Sequence, residues 1–158
     1  MKTHHYQLEL NWTGNIGEGT KNYQSYERSF SININGKPAL NGSSDPAFRG
    51  DASRYNPEEL FLMSISSCHM LWYLHLCAEA GIVVKAYSDH ANGKMEENLE
   101  ESGKFTEVVL SPIVKITNAN LQGIANELHK KANKMCFIAN SCNFPIHHKP
   151  VCMIVKDL

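Results

Sequence analysis

The chain is poor in net charge. Its 15 Lys+Arg against 16 Asp+Glu leave a formal net charge of −1 over 158 residues, and no lysine or arginine run is present. A protein that tracks a phosphate backbone or an anionic bilayer needs such a run, so neither nucleic acid nor a membrane surface is an expected partner. The first six residues hold one lysine and no apolar core, which does not read as a secretory signal. The five cysteines are odd in number and form neither a repeated CxxC nor a short even framework. That pattern fits a reducing compartment, and a cytoplasmic protein is expected. The eight histidines include no HExxH, and no cysteine pair has zinc-finger spacing. Cys136, Cys142 and His147 fall near one another with irregular spacing only, so neither a metal nor a cofactor is expected. Internal repeats and low-complexity segments are also missing.

Periodicity is what the chain does have. Tyr6, Leu8, Leu10 and Trp12 alternate with polar residues, as do Phe30, Ile32 and Ile34, and Asn35-Gly36 is a hairpin signal. Three antiparallel strands are predicted, the third near Lys37–Leu40. The segment 41–55 has no periodicity and reads as a long loop. Asn56-Pro57-Glu58-Glu59 then carries a cap, a proline at the first helical position and an acid placed for a capping box. A helix is predicted to Ala80, stopped by Gly81. Its twenty residues from Phe61 to Ala80 are mostly apolar. Ser64, Ser66, Ser67, His69, His75 and Glu79 make it costly in hydrocarbon, so a helix covered on nearly all sides in a soluble fold is expected. Strands over Ile82–Ser88 and Phe105–Ile116, a charged hairpin or loop at Asn92–Lys104, a helix over Asn120–Met135 and a last strand at Val151–Val155 complete the order βββ-α-ββ-α-β. The class is α+β, a single domain over residues 1–158.

A cysteine inside an apolar run more often packs than reacts, and that holds for Cys77 and Cys152. Cys68 is set apart by its surroundings. The run Asn56-Pro57-Glu58-Glu59-Leu60, followed by Ser67-Cys68-His69 with Cys68 ten residues after Glu58, resembles the OsmC/Ohr family of hydroperoxide reductases. Cys136 occupies the place of that family's second cysteine. The strand and helix order is similar too. The resemblance implies that Cys68 attacks an organic hydroperoxide, that Cys136 resolves the product as a disulfide, and that a dithiol of lipoyl or other small type reduces it. It further implies that Glu58 and an arginine hold the thiolate. Arg49, seven residues before Asn56, matches the arginine of one branch; Lys21 and Arg28 stand in the region the other branch uses. The chain departs from the family at His69, where an aromatic is usual, and after Cys136, where proline is common.

Geometry adds one constraint. Ten residues of continuous helix separate Glu58 from Cys68 by about 15 Å along the axis. Either the helix starts later than its caps indicate, or a site draws on two chains, as in the intertwined homodimers of that family. An apolar wall of Ile65, Leu71, Trp72 and Phe137 would favour alkyl peroxides. Two other classes remain open: a non-catalytic binder of a small hydrophobic ligand, and a hydrolase using Cys68. The roles of His69, Cys142 and the His147-His148 pair stay unassigned.

Overall fold

A computed structural model describes residues 2–99 and 102–156. The chain divides into two compact units, residues 1–61 and 62–158.

The first unit is built on an antiparallel sheet of order β1-β2-β3, with β1 at Glu9–Trp12, β2 at Phe30–Asn33 and β3 at Leu40–Gly42. The hairpin between β2 and β3 turns at Gly36, whose φ of 77° is the left-handed conformation the Asn-Gly signal predicts. The alternation in β1 predicted a half-covered strand. Instead Leu8 and Leu10 are 60% and 61% exposed. Period-two patterning reports which face is apolar, and β1 is an edge strand, paired on one side only. β3 takes in Asn41 and Gly42 of the segment expected as a loop, and the rest of 41–55 is a loop with one 3₁₀ turn, Pro46–Phe48, capped where Ala47 N–H donates to Asp45 Oδ1 at 2.7 Å.

Helix α1 runs Pro57–Glu79. Its start is the reciprocal capping box of the sequence: Glu59 N–H donates to Asn56 Oδ1 at 2.7 Å and Asn56 N–H to Glu59 Oε2 at 3.1 Å. Gly81, at φ 68°, allows the left-handed turn that ends it. The alternative of a later helix start is thereby removed.

In the second unit three chain runs each bend and place one strand in each of two sheets. β4 (Val84–Asp89), β7 (Pro112–Ile116) and β9 (Val151–Ile154) form one, in the order β4-β7-β9. β5 (Asn92–Glu97), β6 (Gly103–Leu110) and β8 (Ile146–His148) form the other, in the order β5-β6-β8. The central run pairs antiparallel on one side and parallel on the other in both sheets. Pro112 opens β7 at the bend, a position where no ladder donor is lost. At the same corner Asp89 accepts from Ser66 Oγ at 2.5 Å and Ser111 N–H at 2.7 Å. The segment Asn92–Lys104, expected as a charged hairpin or loop, is a hairpin: β5 pairs antiparallel with β6. The residues of β5 are all exposed.

Helix α2 spans Gln122–Met135, led in by a 3₁₀ turn at Ala119–Leu121. The core gathers Tyr73, Leu76 and Cys77 of α1 with Ile82, Val114, Ile116, Ala125 and Ala132. By length and composition α1 would cross a membrane, yet its buried face belongs to this core and Ser66 is hydrogen-bonded to β4. The expectation of cover on nearly all sides fails within one chain, where Leu71 is 63% and Met63 44% exposed. Apolarity is a property of the sequence, whereas cover depends on what lies opposite.

Candidate active site

Cys68 and Cys136, 68 positions apart in the sequence, meet in the second unit. Cys68 is half-buried on α1 and Cys136 fully buried at the end of α2, both as free thiols. The chain leaves the helix at Cys136, whose N–H still donates to the carbonyls of Ala132 and Asn133. Burial, reinforced by a hydrogen bond to Cys68, pushes the Cys136 thiol up to about 11. It is therefore protonated at neutral pH, and Ala139 N–H donates to the Cys136 sulfur at 3.4 Å. Beside the pair, Trp72 meets Phe137 edge to face with ring centroids 5.7 Å apart, and Leu71, Trp72 and His75 line a shallow apolar cavity. Ile65, expected in the wall, is instead wholly buried in the core and out of reach of any substrate. Cys142 is half-buried, and its S–H donates to the Ile138 carbonyl at 3.2 Å.

Arg49 and Glu58 belong to the first unit. Arg49 caps the Pro46–Phe48 turn at φ 64°, the one non-glycine residue with positive φ among the described residues. Such a conformation costs a non-glycine residue about 1–2 kcal/mol and persists only where surrounding bonds impose it. Here Arg49 N–H donates to Pro46 O at 3.1 Å and Gly50 N–H to Asp45 O at 3.0 Å. The side chain is exposed, and among the described residues its guanidinium has neither a hydrogen-bond nor a carboxylate partner. It lines a cavity with Arg28, Ser43, Asp51 and Arg54. Arg28, by contrast, is occupied: it donates to the carbonyls of Tyr26 and Tyr23 and lies over both their rings at 4.2 and 4.1 Å. Lys21 is exposed and paired with Glu18. Glu58 Oε2 is buried with no hydrogen-bond partner among the described residues.

The sequence reading missed a cluster of buried imidazoles; its only trace was His69 in a place where an aromatic is usual. His69 of α1 and His129 of α2 are 1% and 2% exposed, with His69 Nε2 3.0 Å from His129 Nδ1. His148 of β8 lies 4.4 Å from the His69 ring, and Tyr73 stacks on His129 at 3.9 Å. His147, the other member of the pair, faces Glu107 at 3.6 Å instead. Burial, then the neighbouring imidazoles, lowers His69 to about 3; burial, then His148, lowers His129 to about 4. Burial lowers His148 as well, against the pull of Asp89.

The His69 and His129 rings are neutral when folded and bind protons near pH 6.5 when unfolded, so the unfolded chain gains protons first as pH falls. Stability present above about pH 6.5 should be lost progressively toward pH 4, at roughly 1.4 kcal/mol per ring per pH unit. Denaturant midpoints between pH 7.5 and 4.5 measure this. A His69→Phe, His129→Leu protein should show a shallower acid slope.

The family model for OsmC-like proteins matches residues 50–150. An OsmC-like protein of unknown function from Vibrio cholerae is 27% identical, with a TM-score of 0.84 over 94% of this chain and 100% of that one. An OsmC-like protein from Mycoplasma pneumoniae is 13% identical, with a TM-score of 0.73 over 96% and 99%. An organic hydroperoxide resistance protein from Elizabethkingia anophelis is 19% identical, with a TM-score of 0.68 over 98% and 100%. No functionally curated protein matches the chain. A mixed α+β architecture of this kind defines a class, and the chain belongs to it: it is a member of the OsmC-like family.

Proposed function

We propose that the protein reduces organic hydroperoxides with Cys68 as the attacking thiol and Cys136 as the resolving one. The observation that carries this reading is the contact between the half-buried Cys68 and the buried, protonated Cys136 thiol. The Cys68 thiolate attacks the terminal oxygen of R–O–O–H, the O–O bond breaks, and the leaving alkoxide takes a proton to become the alcohol. Cys68 is left as a sulfenic acid. Cys136 condenses with it, water leaves, and a Cys68–Cys136 disulfide forms. A small dithiol, of lipoyl type or similar, reduces that bond and is itself oxidised to a disulfide. The apolar Leu71, Trp72 and Phe137 beside the pair favour an alkyl or aryl peroxide over hydrogen peroxide.

Arg49 serves as the cation that favours the thiolate and meets charge developing on the leaving oxygen. Its imposed backbone supports this, as does a guanidinium that lies 5.9 Å from the Tyr23 ring centroid with no carboxylate partner among the described residues, and the Oε2 of Glu58 is suited to orient it. The protein acts as a homodimer in a reducing, cytoplasmic setting. The exposed apolar residues of α1 and β1 support a second copy as their cover, and with α1 continuous from Pro57, Glu58 of one chain serves Cys68 of the other.

The experiment is peroxide consumption with dithiothreitol as donor, comparing tert-butyl and cumene hydroperoxide with hydrogen peroxide, followed by peptide mass spectrometry. Organic peroxides should be consumed faster, and peroxide without reductant should yield a Cys68–Cys136 disulfide. In Cys136→Ser, Cys68 should instead accumulate as sulfinic and sulfonic acid after one turnover. A disulfide from Cys68 to Cys77, Cys142 or Cys152 would displace Cys136 from the resolving role. No consumption of any peroxide overturns the whole reading.

A further inference from the structure

Two buried histidines stand next to this chemistry without a part in it. His69 directly follows Cys68 on α1, and His129 precedes Cys136 by seven residues on α2, two turns along the same face. The 3.0 Å contact of their rings therefore ties together the two helices that carry the sulfurs. One proton lies in that contact. The outer nitrogens, His69 Nδ1 and His129 Nε2, are both buried without a partner among the described residues, and in neutral rings one of them is N–H and the other bare. They sit at opposite ends of the pair and do not converge on an ion. Among the described residues no three His, Cys, Asp or Glu side chains are placed to hold one.

We propose that the His69–His129 pair is a positioning element for the Cys68–Cys136 couple, holding α1 to α2 at the separation the disulfide needs while both rings are neutral and releasing them in acid. The proposal rests on Cys68 and Cys136 being a redox pair. Around the rings lie Tyr73 of α1, stacked on His129, and His148 of β8 over His69. Asp89 of β4 acts on His148 and is itself engaged by Ser66 and Ser111, and His147 is the further neighbour of His148. Among the described residues no carboxylate contacts the pair itself, so nothing there compensates a buried imidazolium. A proton reaches the bare nitrogen only when the helices part. At pH 5.0 an opened ring of ordinary affinity favours the parted state by about 30-fold over one held neutral.

The couple can be read without peroxide. The intact protein is equilibrated with oxidised and reduced dithiothreitol: Cys68 and Cys136 give two electrons and two protons to the cyclic disulfide and become bonded to each other. Alkylation and peptide mass spectrometry give the constant. From pH 7.5 to 5.0 the wild-type constant should fall, by up to about 30-fold for each ring that opens. His129→Gln keeps an amide that can bond to His69 but cannot titrate. It should match wild type at pH 7.5, with an acid fall several-fold smaller. His129→Leu, which severs the tie, should lower the constant at pH 7.5 by about tenfold, the scale of one lost buried hydrogen bond. The proposal is overturned by an unchanged acid fall in His129→Gln, by a wild-type constant in His129→Leu, or by no Cys68–Cys136 disulfide in the wild type. If His129→Leu fails to fold by circular dichroism, the glutamine variant decides alone. Peroxide consumption on the same samples separates the two ideas: shifted constants without consumption would sink the peroxidase reading and leave the tie standing.

Discussion

The Cys68→Ser protein is expected to consume organic hydroperoxide no faster than buffer. Attack on the O–O bond needs a polarisable anion. A thiol supplies one near neutral pH, and a serine hydroxyl without a base to deprotonate it does not. The substitution exchanges one sulfur for oxygen at a half-buried position on α1, so the fold should persist, and the thermal midpoint should stay near wild type. Cys77, Cys142 and Cys152 offer no substitute: burial raises the pKa of each thiol. A reagent that traps sulfenic acid should label wild type after a brief peroxide pulse and leave Cys68→Ser unlabelled. Residual consumption at more than a few per cent of wild type would move the nucleophile elsewhere.

The second large effect is expected from Arg49→Ala, a fall in peroxide consumption of about 10²–10³, the range for removal of one oriented donor. The cost should appear in two readouts that a structural role would not move together: a higher Cys68 pKa by thiolate absorbance, and slower single-turnover oxidation of Cys68 at saturating reductant. Lys21→Ala should be nearly silent, because its salt bridge to Glu18 is exposed and worth little. Arg28→Ala should lower the stability of the first unit, since Arg28 is bound to two loop carbonyls and two aromatic rings, while the Cys68 pKa stays put. Gly50→Ala probes the same loop without touching the guanidinium. Its new Cβ would fall 1.6 Å from the Ser44 carbonyl oxygen, so the turn that presents Arg49 has to shift. Activity should drop in that variant as well. Equal, small effects from all four substitutions would mean that no cation of the first unit activates the thiol.

Much of this architecture was legible in the chain because its signals are local. The Asn56/Glu59 capping box, the left-handed turns at Gly36 and Gly81 and the period of α2 each depend on a few consecutive residues and their dihedral preferences. The sequence alone could therefore place them to within a residue or two. The resemblance carried by Asn56–Leu60 and Cys68 identified the family for the same reason, since it is a spacing along one helix. What lay beyond reach depends on residues brought together from far apart. The bends that split three chain runs between two sheets follow from pairing across the sheet. Cover of α1 could not be judged from its apolarity, and Ile65 faces the core while Leu71, six residues on, faces out. The His69–His129–His148 cluster joins α1, α2 and β8, and an isolated histidine in a sequence gives no sign of which nitrogen will be buried or what will face it. Residue type and spacing alone determined that this chain has a helix-borne thiol. Only the tertiary structure decided that a buried thiol meets it and that neutral imidazoles tie together the helices beneath, because desolvation and ring contacts exist only once distant segments are packed.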